Sequence, residues 1–129
     1  MYLFTYGILT NNDCMPSNEN TVRLGPAVLH GHKFVIGKYA NIIEQKHSSV
    51  RGILWEIDDE VLVRTDSIEN FPNFYNRKCV DVNWNDSIIS AQVYYTVVDI
   101  SGTCSDRYLD TVCKGYSFDN CNLPTDIYV

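Results

Sequence analysis

Apolar and polar residues alternate in short runs along most of the chain, the period of half-buried strands. Only twice does the spacing lengthen to that of a helix. Tyr2–Tyr6 is short, aromatic and β-branched, and predicts a strand that runs into a tight turn at Gly7. Thr10–Thr21 is almost wholly polar and contains Pro16, so it predicts a long exposed loop. Four strand-like runs follow, Ala27–Leu29, His32–Ile36, Ala40–Glu44 and Ser49–Ile57, punctuated by Gly31, Gly37 and the polar Gln45–Ser48. In the last run Arg51, Ile53, Trp55 and Ile57 share one face, and Val50, Gly52, Leu54 and Glu56 the other. A glycine inside such a run marks a bulge or a close backbone approach. Strand signals packed this densely predict a meandering antiparallel sheet and not βαβ repeats.

The first helical stretch is Asp58–Asn70, with an apolar stripe of Val61, Leu62, Thr65 and Ile68, and Phe71-Pro72 closes it. Tyr75–Val82 and Ser87–Val98 then read as a hairpin about the turn Asn83–Asp86. Ser105 is placed to cap a second helix, with Tyr108, Leu109, Val112 and Cys113 at helical spacing and Gly115 as its stop. The remaining residues to Val129, including Pro124, are expected to drape over the sheet. The sum is a single α+β domain over residues 1–129: a small mixed, largely antiparallel β-barrel-like sheet with one or two flanking short helices.

One residue breaks the pattern. At about 100° per residue, Glu69 projects between Thr65 and Leu62, inside the apolar arc of the first helix. A carboxylate there must be solvated by something specific, hold an altered pKa, or sit at a pocket.

Composition narrows the partners. The hydrophobic fraction of 45% and aromatic fraction of 12% are those of a globular protein. The formal net charge is −6 and the ten Lys and Arg are scattered, so the clustered positive charge that tracks phosphates is missing and nucleic-acid binding is not expected. MYLFTYG has no basic n-region, and no apolar run reaches the roughly 18 residues of a membrane span. The expectation is a soluble, cytoplasmic protein with no membrane partner. The five cysteines (14, 79, 104, 113 and 121) and three histidines (30, 32 and 47) form no zinc spacing. Free thiols are expected, with a disulfide or metal among Cys104, Cys113 and Cys121 as the alternative.

Three features go beyond architecture: the strand and turn Phe4-Thr5-Tyr6-Gly7-Ile8-Leu9, the helical Glu69, and Tyr75-x-Arg77. Each alone has an ordinary structural explanation, and their order is what informs. With Gly25–His32, the strand Val50–Ile57, the run Thr65–Arg77 and the closing Ala91-Gln92-Val93-Tyr94, the chain resembles the γ-glutamylcyclotransferase-like family over roughly residues 2–115. That family includes the γ-glutamylamine cyclotransferases and the AIG2-like proteins.

The resemblance implies a small barrel with flanking helices and an intramolecular reaction. The α-amine of a γ-glutamyl group attacks its own γ-carbonyl, releasing 5-oxoproline and an amine, with no metal and no cofactor. On the matching positions it implies Glu69 as the acid and base, and Tyr6, Gly7, Ile8 and Leu9 as the loop holding the substrate's anionic end. Tyr75 and Arg77 are implied to shape the pocket or orient the substrate. Two positions depart from the family pattern: Ile8 stands where a small Thr or Ser is usual, and Asn70 where a Gly follows the Glu. A second reading is therefore a pocket that binds a small anion or metabolite without turning it over. A third is a protein–protein adaptor using exposed aromatics and an acidic surface.

Overall fold

The computed structural model describes residues 1–119. Five strands, β1 (Tyr2–Thr5), β2 (Val22–Ile36), β3 (Ala40–Glu56), β4 (Asn76–Trp84) and β5 (Ser87–Tyr95), close into a barrel in the order β1-β3-β2-β4-β5. All pairs are antiparallel except β1 with β5, which run parallel through Leu3↔Gln92 and Phe4↔Val93. Two α-helices, α1 (Asp59–Ile68) and α2 (Asp106–Ser117), flank it, and a 3-10 turn (Ile8–Thr10) follows β1.

The alternation in β1 and β3 sorts their side chains between two cores. Phe4, Val50 and Leu54 join the cluster inside the barrel with Phe34, Val82 and Val93. Leu3, Ile53, Trp55 and Ile57 face outward into a second cluster with Val61 of α1. Both faces of β1 from Leu3 and of β3 from Gly52 to Trp55 are thus buried, at roughly 25 cal/mol per Å2 of apolar surface removed from water. At Gly52 the neighbouring strand β1 lies too close for a side chain: a Cβ there would run into the Phe4 ring and the Thr5 carbonyl.

Four expectations need correction. The short strands around Gly31 and Gln45–Ser48 are parts of two long ones, because His30 pairs with Ser49 and His32 with Glu44. The punctuation is real but local: Gln45–Ser48 bulges out opposite the single Gly31, at φ +76°, without ending either strand. The return strand of the β4–β5 hairpin ends at Tyr95, not Val98, and its turn is tightened to Asn85-Asp86, both at positive φ.

Thr10–Thr21 is not simply an exposed loop, since Thr10, Asn11 and Met15 are buried. Thr10 and Asn11 are covered by α2, whose Thr111 carbonyl accepts from the Asn11 amide at 2.9 Å, and Met15 packs into the outer cluster with Trp55 and Ile57. Gly115 does not stop α2, which continues to Ser117. A Cβ at Gly115 would collide with the Thr10 side chain, so the glycine is there for close packing and not for a turn.

Arg23 locks the same corner. Its guanidinium pairs with Asp119 at 2.6 Å, donates to the carbonyls of Thr10 and Gly115, and stacks on Trp55 and Phe118. Cys14, Cys79, Cys104 and Cys113 are free thiols. Cys121, Pro124 and the expected drape of the tail lie outside the described residues.

Candidate active site

The position of Glu69 follows from how α1 begins and ends. Asp58 caps its start, accepting the Val61 N–H at 3.0 Å. At its end Asn70 takes a left-handed conformation (φ +53°). The Phe71 N–H reaches back to the Asp66 carbonyl at 2.9 Å, and the Asn70 N–H to the Ser67 carbonyl at 3.2 Å. These two bonds are those of a Schellman cap, so asparagine here performs the turn that a glycine usually performs. Glu69 is therefore the last residue before the chain reverses, not an interior helical residue as the periodicity predicts. The peptide bond Phe71–Pro72 is cis, and the Tyr75 N–H returns to the Glu69 carbonyl at 3.3 Å.

Glu69 opens onto a cavity of about 410 Å3 at the end of β1, between α1 and the β2–β3 turn. This is the size range of clefts that take a whole small molecule. Glu69 is the only charged side chain lining it among the described residues. No hydrogen-bond donor or cation among the described residues meets its carboxylate, and burial pushes its pKa up from 4.5 to about 7.

The opposite wall is the turn after β1. The Thr10 N–H closes onto the Gly7 carbonyl at 3.1 Å and the Asn11 N–H onto the Ile8 carbonyl at 2.9 Å. The amides that open this 3-10 turn, at Ile8 and Leu9, precede any carbonyl they could bond within it. Tyr6, Gly7, Ile8 and Leu9 all line the cavity, and so does Tyr75. The structure therefore brings together Glu69, the whole Tyr6–Leu9 turn and Tyr75.

Arg77 is not among the lining residues. Its Nε and Nη2 grip both oxygens of Asp66 on α1 at 2.7 and 2.9 Å, and its guanidinium lies over the Phe71 ring at 4.4 Å. Asp66 also accepts from the Tyr94 hydroxyl at 2.6 Å. Arg77 thus ties α1 to β4 outside the cavity that the resemblance implied it would shape.

Five tyrosines line the cavity, and the hydroxyls of four of them are used differently. Tyr6 donates to the Tyr94 carbonyl at 2.8 Å and Tyr75 to the Ala40 carbonyl at 2.6 Å, which commits both protons to backbone. Tyr94 gives its proton to Asp66. Tyr108 instead accepts from the Ala40 N–H at 2.9 Å, and no acceptor among the described residues takes its own O–H. Burial first, and then neighbouring tyrosines and Glu69, raises the pKa of Tyr6, Tyr75 and Tyr108, so these phenols stay protonated.

Tyr108, Tyr39, Phe74 and Tyr94 line the cavity without having been singled out as site residues in the sequence. Tyr108 carried a signal, its place on the apolar stripe of α2, but which cavity that stripe meets depends on how the helix docks. Among the described residues no three His, Cys, Asp or Glu side chains lie close enough to hold a metal ion. No helix among them is long and apolar enough to cross a membrane.

Residues 3–110 match the model of a family described as gamma-glutamyl cyclotransferase, AIG2-like. Among solved structures, a γ-glutamyl cyclotransferase superposes with a TM-score of 0.84 at 19% identity, over 96% of this chain and 81% of the other. An uncharacterised protein from Homo sapiens gives 0.82 at 20% identity, over 96% and 81%. An AIG2-like protein from Mus musculus gives 0.63 at 22% identity, over 84% and 81%. At these identities the superpositions establish the fold. No curated protein matches the chain in sequence.

Proposed function

The chain belongs to the gamma-glutamyl cyclotransferase, AIG2-like family, and from that premise we propose that it is an intramolecular cyclotransferase acting on a γ-glutamyl amine or a related small amide. The observation that carries the proposal is Glu69, the one charged side chain lining the cavity among the described residues, held with its pKa at about 7 opposite the Tyr6–Leu9 turn. A group titrating there is present in both forms near neutral pH, which a residue that first takes and then returns a proton requires.

In the proposed reaction the substrate's α-amine bonds to its own γ-carbonyl carbon, and the bond from that carbon to the leaving nitrogen breaks. One proton leaves the attacking nitrogen and one is gained by the leaving nitrogen, with Glu69 as carrier. Ring closure supplies a high effective molarity, so the protein's task is to hold one conformer. The Ile8 and Leu9 amides and the Tyr108 hydroxyl would hold the α-carboxylate, and Tyr75 would shape the wall. Arg77 would act at a distance, by fixing α1.

The test is release of 5-oxoproline from a panel of γ-glutamyl amides by the wild type and Glu69→Gln. The glutamine variant should lose about 10²- to 10⁴-fold in kcat, the usual scale for removing a general acid and base. Equal turnover by both would end the role given to Glu69. A second reading, a pocket that binds a small anion or metabolite without turnover, is favoured by Ile8, an apolar side chain in the turn where the family pattern has a hydroxyl. It calls for tight ligand retention with no product, which calorimetry beside the turnover assay separates from the first.

A further inference from the structure

The outer half of the cavity has a chemistry of its own. Tyr39, which is 45% exposed, stands at the tip between β2 and β3, and Ile68, 47% exposed, lines the same cavity from the end of α1. Tyr39 meets Phe74 edge-on at 5.5 Å and Tyr108 edge-on at 5.7 Å, and Phe74 meets Tyr75 at 5.1 Å. These ring contacts fix a preformed aromatic wall at the entrance, where a solvent-facing tyrosine would otherwise be free to rotate. No Lys, Arg or His lines the cavity among the described residues. A second negative charge entering here would lose water without gaining a partner, and would also meet the field of Glu69.

Resting on the cyclotransferase reading, we propose that this entrance is a leaving-group subsite selective for apolar, uncharged amine substituents against carboxylate-bearing ones, with Tyr39, Phe74 and Ile68 as the specificity-determining residues. The γ-glutamyl group occupies the inner half, between Glu69 and the Gly7 turn, and the amine expelled from it lies against the aromatic wall. The bond chemistry is unchanged. What the wall selects is the substituent on the leaving nitrogen.

The test uses two compounds that differ by one group, γ-glutamyl-phenethylamide and γ-glutamyl-phenylalanine, with γ-glutamyl-methylamide as a substrate too short to reach the wall. The wild type should prefer the phenethylamide to the phenylalanine compound by at least about tenfold in kcat/KM, and prefer it to the methylamide by a similar factor. Tyr39→Ala should lower the phenethylamide-to-methylamide ratio about tenfold. Tyr39→Arg, which supplies the missing cation, should move selectivity toward the phenylalanine compound. Equal or better turnover of the carboxylate-bearing substrate by the wild type, or ratios unmoved by both variants, overturns the proposal while leaving the cyclotransferase reading intact.

If no compound releases 5-oxoproline, the cyclotransferase reading fails and the same compounds serve as stable ligands in calorimetry. Tighter binding of the phenethylamide that weakens in Tyr39→Ala then upholds the subsite by itself. Equal binding, or none, overturns it as well.

Discussion

Glu69 makes the protein's stability depend on pH in a direction opposite to most carboxylates. In the unfolded chain it titrates at its ordinary 4.5, and in the folded protein at about 7. Between these values the folded state holds a proton that the unfolded state has released. Stability therefore falls as pH rises through the interval. Below it both states are protonated and above it both are ionised, so the curve is flat on either side as far as this residue goes. Each pH unit corresponds to about 1.4 kcal/mol, and the whole interval to about 3 kcal/mol. That is a sizeable share of the roughly 5–15 kcal/mol that holds a domain together.

Glu69→Gln keeps the shape and removes the titration. Urea denaturation of both proteins across about pH 4.5 to 8 should show them equally stable at the acid end. The glutamine variant should be ahead by about 3 kcal/mol at the alkaline end. A constant difference across the range would mean that Glu69 is solvated like a surface acid, and the chemical argument built on its burial would fall with it. In the active protein, the ascending limb of kcat/KM against pH should have its midpoint near 7, since that profile reports the free enzyme.

Two further outcomes test the supports of the site. Asn70→Gly should change stability by only a few tenths of a kcal/mol, because glycine adopts the same left-handed cap, whereas Asn70→Val should cost about 1–2 kcal/mol in thermal or urea unfolding. Gly115→Ala should cost about 1–3 kcal/mol through overpacking against Thr10, and by prising α2 from the turn below it should raise KM for any substrate held at Ile8 and Leu9; a stable variant with unchanged KM would show that the helix does not set that turn.

Elements whose cause is local were legible in the sequence. Asp58 and Ser105 cap helices because a short side-chain oxygen can reach an amide three residues on. The β4–β5 hairpin follows from two β-rich runs about an Asn-Asp turn. What escaped needed knowledge of the partner. Gln45–Ser48 looks like a break because its side chains face solvent, and only the register with Gly31 makes it a bulge. Gly115 reads as a stop since helix ends and tight contacts both favour the absence of a Cβ, and composition does not separate the two. Strand alternation would put Arg77 on the same face as Tyr75, but Tyr75 precedes β4, and Arg77 meets Asp66 instead of the cavity. Glu69 was conspicuous because a charge within an apolar arc is locally wrong, but its seat on the cap depends on Asn70. The aromatic wall had no signature, since Tyr39 and Phe74 meet only after the barrel closes.

The backbone of Ala40 holds a consequence for altering this cavity. Its N–H is taken by Tyr108 and its carbonyl by Tyr75, so two walls contributed by distant stretches hang on the two peptide groups that flank one residue. Its methyl group, meanwhile, faces the place where Gly7 would carry a Cβ, 3.4 Å away. Ala40 is also only 1% exposed and belongs to the barrel core, so a larger residue there would overpack beside the Gly7 turn and strain both phenol anchors at once. The smallness of this one side chain thus holds the width of the inner cavity and the set of its tyrosine walls together.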